Sequence, residues 1–203
     1  MKTIKDIYKI GIGPSSSHTM GPQKAAKIFN ERYPHAANFE VTLYGSLAAT
    51  GKGHMTDRAI LNTLQAPTNI IWCPDIIPTF HPNGMLFKAF NEAKEQLGEW
   101  TVYSIGGGNL AEEGKQSEQP EIYPLSKMTD ILNWCEQRGR TYWEYVYEYE
   151  NSTEIEDYMR EVWRVMQSAV ERGLEAEGVL PGPLNLSRKA AAYHIKASGY
   201  THT

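Results

Sequence analysis

The residues best suited to chemistry lie at 11–22 (GIGPSSSHTMGP), where Ser15, Ser16, Ser17, His18 and Thr19 stand together just before a stretch of helical spacing. Hydroxyls and unpaired backbone N–H groups at the start of a helix favour an anion, so a substrate carboxylate would fit there. His18 adds a group that titrates near neutral pH. The bland alternative is a serine-rich linker that caps a helix. A second polar turn follows at 44–57 (YGSLAATGKGHMTD), where His54, Thr56 and Asp57 fall within four positions. Asp57 could orient the His54 imidazole for acid–base work, or it could merely complement a helix dipole while His54 is solvated. Lys52 between Gly51 and Gly53 does not make a phosphate loop, because the GxxxxGK[ST] frame is absent. The third stretch, 103–108 (YSIGGG), ends in Gly106, Gly107 and Gly108, which would let backbone approach a ligand closely or simply turn. It lacks the GxGxxG spacing of a dinucleotide site. His81 lies in HPNG, which is turn chemistry first.

The elements that must hold these residues follow from periodicity. Residues 3–10 suit a short helix or an extended lead-in. Residues 11–22 read as a loop, and Pro22 fits the first turn of a helix carrying Ala25, Ala26, Ile28 and Phe29 on one stripe. Residues 39–44 alternate as a strand, and 46–52 make a helical turn ending at glycine. Thr56 is placed as an N-cap, with Asp57 in the first turn and Ala59, Ile60, Leu61 and Leu64 behind. NIIWC at 69–73 predicts a buried strand. Residues 84–90 alternate like a strand, although the following NEAKEQL favours helix. Residues 100–105 predict a strand. Beyond about 125 the spacing turns helical over 125–138, 142–150 and 153–177. The last of these carries an apolar stripe of Ile155, Met159, Val162, Trp163, Met166 and Val170. LPGP at 180–183 breaks the pattern and 186–198 resumes it. Strands early and helices late predict an α+β fold: a mixed or antiparallel sheet with flanking helices, then a helical C-terminal extension. The division expected is 1–150 and 151–203.

Composition excludes several classes. The chain has 203 residues, 41% hydrophobic and 22% charged, enough to bury a core. A net charge of −4 leaves no basic stripe, so nucleic acid is not an expected partner. No apolar run approaches a membrane span and the N-terminus lacks a signal-peptide core, so a cytoplasmic address is expected. Cys73 and Cys135 are the only cysteines and have no ligand-type neighbours, so both read as plain thiols and no metal is expected in this chain.

Taken together, GIGPSSSHTMGP, YGSLAATGKGHMTD, NGM and YSIGGG resemble, in order and spacing, the N-terminal (β) domain of iron–sulfur-dependent bacterial L-serine dehydratases. LPGPLNLSRKAAAYH resembles the opening of that family's catalytic α domain. The resemblance implies a lyase of serine catabolism that converts L-serine to pyruvate and ammonia. It implies a [4Fe–4S] cluster held by cysteines of an α domain or subunit, with none in this chain, and a homodimer. It places Ser15, Ser16, Ser17 and Thr19 at the substrate with His18 as a catalytic group. His54 is a second catalytic candidate, and Thr56, Asp57, Gly106 and Gly107 line the same pocket. With no cluster-type cysteines after Cys135, the chain reads as a fragment inactive alone. The competing readings are an isolated domain that senses serine or another small carboxylate, and a pyridoxal-phosphate dehydratase. The latter needs a Schiff-base lysine that no local pattern supports.

Overall fold

The computed structural model describes residues 1–115 and 120–199. They form two compact units, one of residues 11–115 with 179–187 and one of residues 1–10, 120–178 and 188–199. These units cut the chain differently from a break at 150, because both the N-terminal segment and the 179–187 loop leave their sequence neighbours.

In the first unit the order is α1 (Gly21–Arg32), β1 (Asn38–Tyr44), α2 (Gly45–Thr50), α3 (Thr56–Leu61), β2 (Thr68–Cys73), β3 (Gly84–Phe90), β4 (Gln96–Gly106) and β5 (Asn109–Ala111). The sheet order is β2-β1-β3-β4-β5, with β1 and β2 parallel and the other pairs antiparallel. Register explains the burial. Val41 lies opposite Phe87, and Phe87 opposite Trp100; Leu43 lies opposite Met85, and Met85 opposite Val102. One apolar face results, and Ala25, Ala26 and Phe29 of α1, Leu47 of α2 and Ile60 of α3 join it in a single core. Phe29 sits at its centre, 5.4 Å from the Phe87 ring and 5.8 Å from the Phe39 ring. The mixed sheet with flanking helices agrees with the expected α+β class.

Three local expectations change. NEAKEQL is not helical: Asn91 and Glu95 close a hairpin loop, with the Asn91 side chain accepting from Glu95 N at 2.9 Å and donating to its carboxylate at 2.8 Å. Strand pairing on both sides outweighs local helix propensity there. The 69–73 strand is only half-buried, because β2 is an edge strand paired with β1 alone. Residues 16–20 are not loop but a π-helical turn that runs straight into α1, with Pro22 in the first turn as expected.

The second unit holds a short 3₁₀ turn (Ile4–Asp6), α4 (Met128–Arg138), α5 (Tyr142–Tyr149), α6 (Ser152–Glu175) and α7 (Ala190–Gly199). Tyr123, Ile131, Trp134, Cys135 and Tyr145 form its core. The Glu150 carboxylate gathers the N-terminal segment, accepting from Ile4 N at 2.8 Å, Thr3 Oγ1 at 3.0 Å and Tyr123 Oη at 2.7 Å. The α6 stripe is buried only at Ile155 and Val162; Trp163, Met166 and Val170 are exposed. Among the described residues no helix is long and apolar enough to cross a membrane.

Candidate active site

The π turn is built around Ser15. Its extended backbone lets its hydroxyl accept from His18 N at 3.1 Å, and its carbonyl accepts from both Thr19 N and Met20 N at 3.1 Å. The turn holds Ser17 and His18 half-buried and Thr19 buried, and leaves Ser16 exposed. The other half of the site comes from the β1–α2 turn and the α2–α3 loop. Met55 takes a left-handed conformation (φ 58°) before α3, so it, and not Thr56, occupies the N-cap position. Thr56 is fully buried, and its hydroxyl donates outside its helix, to the His18 carbonyl at 2.5 Å. Thr19 returns the bond, donating to the His54 carbonyl at 2.8 Å. Each threonine thus ties down the main chain of the other segment's histidine. The two imidazoles lie 4.7 Å apart, tilted by 37°.

The partners of the rings decide what they can do. His54 Nδ1 lies 3.0 Å from the Thr50 carbonyl. A carbonyl only accepts, so neutral His54 carries its proton on Nδ1 and presents a lone pair on Nε2. His18 Nδ1 lies 3.0 Å from Ser17 Oγ and its Nε2 3.1 Å from Ser46 Oγ. Burial pushes the His18 pKa below its ordinary value; the nearby His54 adds to the fall, while hydrogen bonding at Ser46 opposes it. His18 is therefore a neutral base at pH 7. The pair can take up a proton beside a cluster of serine hydroxyls, which is what removal of a proton from a bound carboxylic acid requires.

Asp57 does not orient His54. Its carboxylate accepts from Arg58 N at 2.9 Å in the first turn of α3, so it stabilises that helix start. Gly106, Gly107 and Gly108 have φ of 101°, 57° and 70°, which shape the tight turn between β4 and β5. Ser46 escaped the sequence reading although it opens the strand-to-helix turn that reading had singled out. Beside His54 lies a cavity of about 460 Å³, lined with Ile12, Pro14, Met55, Leu180 and Leu184. Cys73 and Cys135 are free thiols, half-buried and buried respectively. Among the described residues no three His, Cys, Asp or Glu side chains gather as a metal site, so the donor set of a [4Fe–4S] cluster is not among them.

The serine dehydratase beta chain family matches at residues 3–69 and 63–115. The chain is 34% identical to L-serine dehydratase TdcG of Escherichia coli, over 92% of this chain and 52% of the relative. It is 35% identical to L-serine dehydratase 2 of E. coli, over 95% and 53%. It is 33% identical to an L-serine dehydratase of Haemophilus influenzae, over 96% and 54%. The chain spans about half the length of the curated relatives it matches.

Proposed function

The chain belongs to the serine dehydratase beta chain family, and from that premise we propose that it forms one wall of the substrate site of an L-serine dehydratase, which converts L-serine to pyruvate and ammonia. The observation that carries the proposal is the His18–His54 pair, 4.7 Å apart and locked by reciprocal threonine hydrogen bonds beside Ser15, Ser16 and Ser17. In this reading the exposed Ser16 hydroxyl and the start of the π turn take the substrate carboxylate. One imidazole removes the Cα proton, the hydroxyl departs, and the resulting enamine tautomerises to an imine that water hydrolyses to pyruvate and ammonia. Thr19 and Thr56 act by fixing the two histidines. Gly106 and Gly107 shape the neighbouring turn, and Asp57 the start of α3.

The [4Fe–4S] cluster of the resembled enzymes would have to be held by an α portion, since the described residues offer no ligand set for it. No step assigned to this chain runs through it. A cytoplasmic location, a homodimer and inactivity of this chain alone belong to the same proposal and rest on the resemblance. The test is anaerobic reconstitution: this chain is mixed with the α portion of a relative, iron and sulfide, and pyruvate release from L-serine is followed. Pyruvate formed only when both parts are present is the expected result. An intact cluster without activity, together with serine binding to this chain alone, would replace the lyase reading with a sensor.

A further inference from the structure

The hydroxyls around His18 lie in a chain that one direction of donation satisfies throughout. It starts at a group that can only donate: His18 N–H gives its proton to Ser15 Oγ at 3.1 Å. Ser15 Oγ then has its own proton to place, and Ser17 Oγ lies 3.5 Å away, the longest link of the chain. Ser17 in turn reaches His18 Nδ1 at 3.0 Å. If each hydroxyl passes on its proton, Nδ1 is the acceptor and the ring proton must sit on Nε2. Ser46 Oγ lies 3.1 Å from Nε2.

Ser46 is well fixed for this task. It follows Gly45 (φ 48°) at the turn from β1 into α2. Gly45 N donates to the Ile76 carbonyl at 2.9 Å, and Ser46 N to the Pro82 carbonyl at 3.1 Å. Two main-chain bonds thus pin the residue to the segment that leads into β3.

We propose that Ser46 is a positioning residue for His18: it accepts the Nε2 proton of the neutral imidazole and leaves the Nδ1 lone pair to the Ser17 hydroxyl. A proton taken from the substrate then reaches His18 through Ser17. Ser17 Oγ binds the incoming proton as its own passes to Nδ1, so the hydroxyl is regenerated and the imidazole becomes imidazolium. His54, the titratable group facing the ring, holds its proton on Nδ1 and exposes Nε2. The two histidines would therefore offer opposite nitrogens. The catalytic consequence rests on the dehydratase reading, but the tautomer does not.

Long-range nitrogen–proton NMR of the full chain, labelled at histidine, reads the tautomer directly. The expected result is His18 protonated on Nε2 above its titration midpoint. Ser46→Ala should shift the balance toward the Nδ1-protonated form and lower the midpoint, and Ser46→Thr should restore both. A wild-type ring protonated on Nδ1 overturns the proposal without any variant, and so does an unchanged tautomer and midpoint in a folded Ser46→Ala chain. In the reconstituted enzyme, Ser46→Ala should lower kcat by roughly tenfold or more, with KM nearly unchanged. A reconstituted wild type that makes no pyruvate would count against the dehydratase reading and leave the NMR result standing.

Discussion

Thr56→Val removes one hydroxyl and keeps the side chain's shape, so it isolates the clamp on His18. Thr56 is fully buried, and its hydroxyl donates to the His18 carbonyl, 38 positions away. Losing it forfeits a net hydrogen bond and strands a carbonyl, a cost of about 1–3 kcal/mol. The buried methyl that replaces the hydroxyl returns up to about 0.8 kcal/mol. The expected net loss is about 1–2 kcal/mol. Because the chain has two compact units, a single unfolding curve would mix their transitions. Hydrogen exchange of the β1 and β3 amides reports the opening of the unit that holds Thr56. The His18 midpoint gives a second readout: releasing the segment exposes the ring and separates it from His54, so its pKa should move up toward its ordinary 6.5. Thr19→Val should cost at least as much, since Thr19 Oγ1 also accepts from Ser15 N at 3.3 Å. The double variant should cost less than the sum, because both bonds tie the same two segments. A loss under about 0.5 kcal/mol with an unmoved His18 midpoint would refute the clamp.

Other consequences are equally direct. In the reconstituted enzyme, His18→Ala should lower turnover by roughly 100-fold or more, while circular dichroism and melting change little; near-normal turnover removes His18 from the mechanism. The folded pKa of His18 lies below 6.5, so between the two values the unfolded chain binds the extra proton. Stability should therefore rise with pH through that window and level off above 6.5, and His18→Gln should flatten the slope read from hydrogen exchange of the β1 and β3 amides. Phe29→Ala, at a fully buried position against the Phe39 and Phe87 rings, should cost about 3–5 kcal/mol by hydrogen exchange of the same strands.

The sheet was legible wherever one face is buried and the other is not. β1 and β3 alternate because Phe39, Val41 and Leu43 meet Ala89, Phe87 and Met85 across the same face. Local pattern misled where a distant partner decided the outcome. The apolar run at 69–73 resembles a central strand, yet it has one neighbour. NEAKEQL has helix-forming residues, yet the pairing of β3 with β4 leaves it only a turn. The same rule governs the site. Sequence reading placed His18 and His54 in polar loops, but their 36-residue separation hides the 4.7 Å between their rings. Three positions allow Asp57 either to pair with His54 or to complement the α3 dipole, and the residue type of Thr56 suggests a cap. Asp57 follows the second alternative, accepting from Arg58 N, whereas left-handed Met55 takes the N-cap position and the Thr56 hydroxyl goes to the His18 carbonyl. Residues 186–198 read as one helix, but Ser187 pairs with Val179 and the helix starts at Ala190.

The partners of the two imidazoles are hydroxyls and a carbonyl, and that choice has consequences. A carboxylate beside a histidine favours its charged form and would keep it protonated near neutral pH. It would also repel an incoming carboxylate. Ser17 and Ser46 beside His18, and the Thr50 carbonyl beside His54, orient the rings without adding negative charge. Asp57, the nearest acid in sequence, is occupied with the Arg58 amide. Two imidazoles at this distance also discourage each other from being charged together. The arrangement therefore favours a neutral His18 near pH 7. In the proposed site, a carboxylate bound beside the serines would raise the proton affinity of His18.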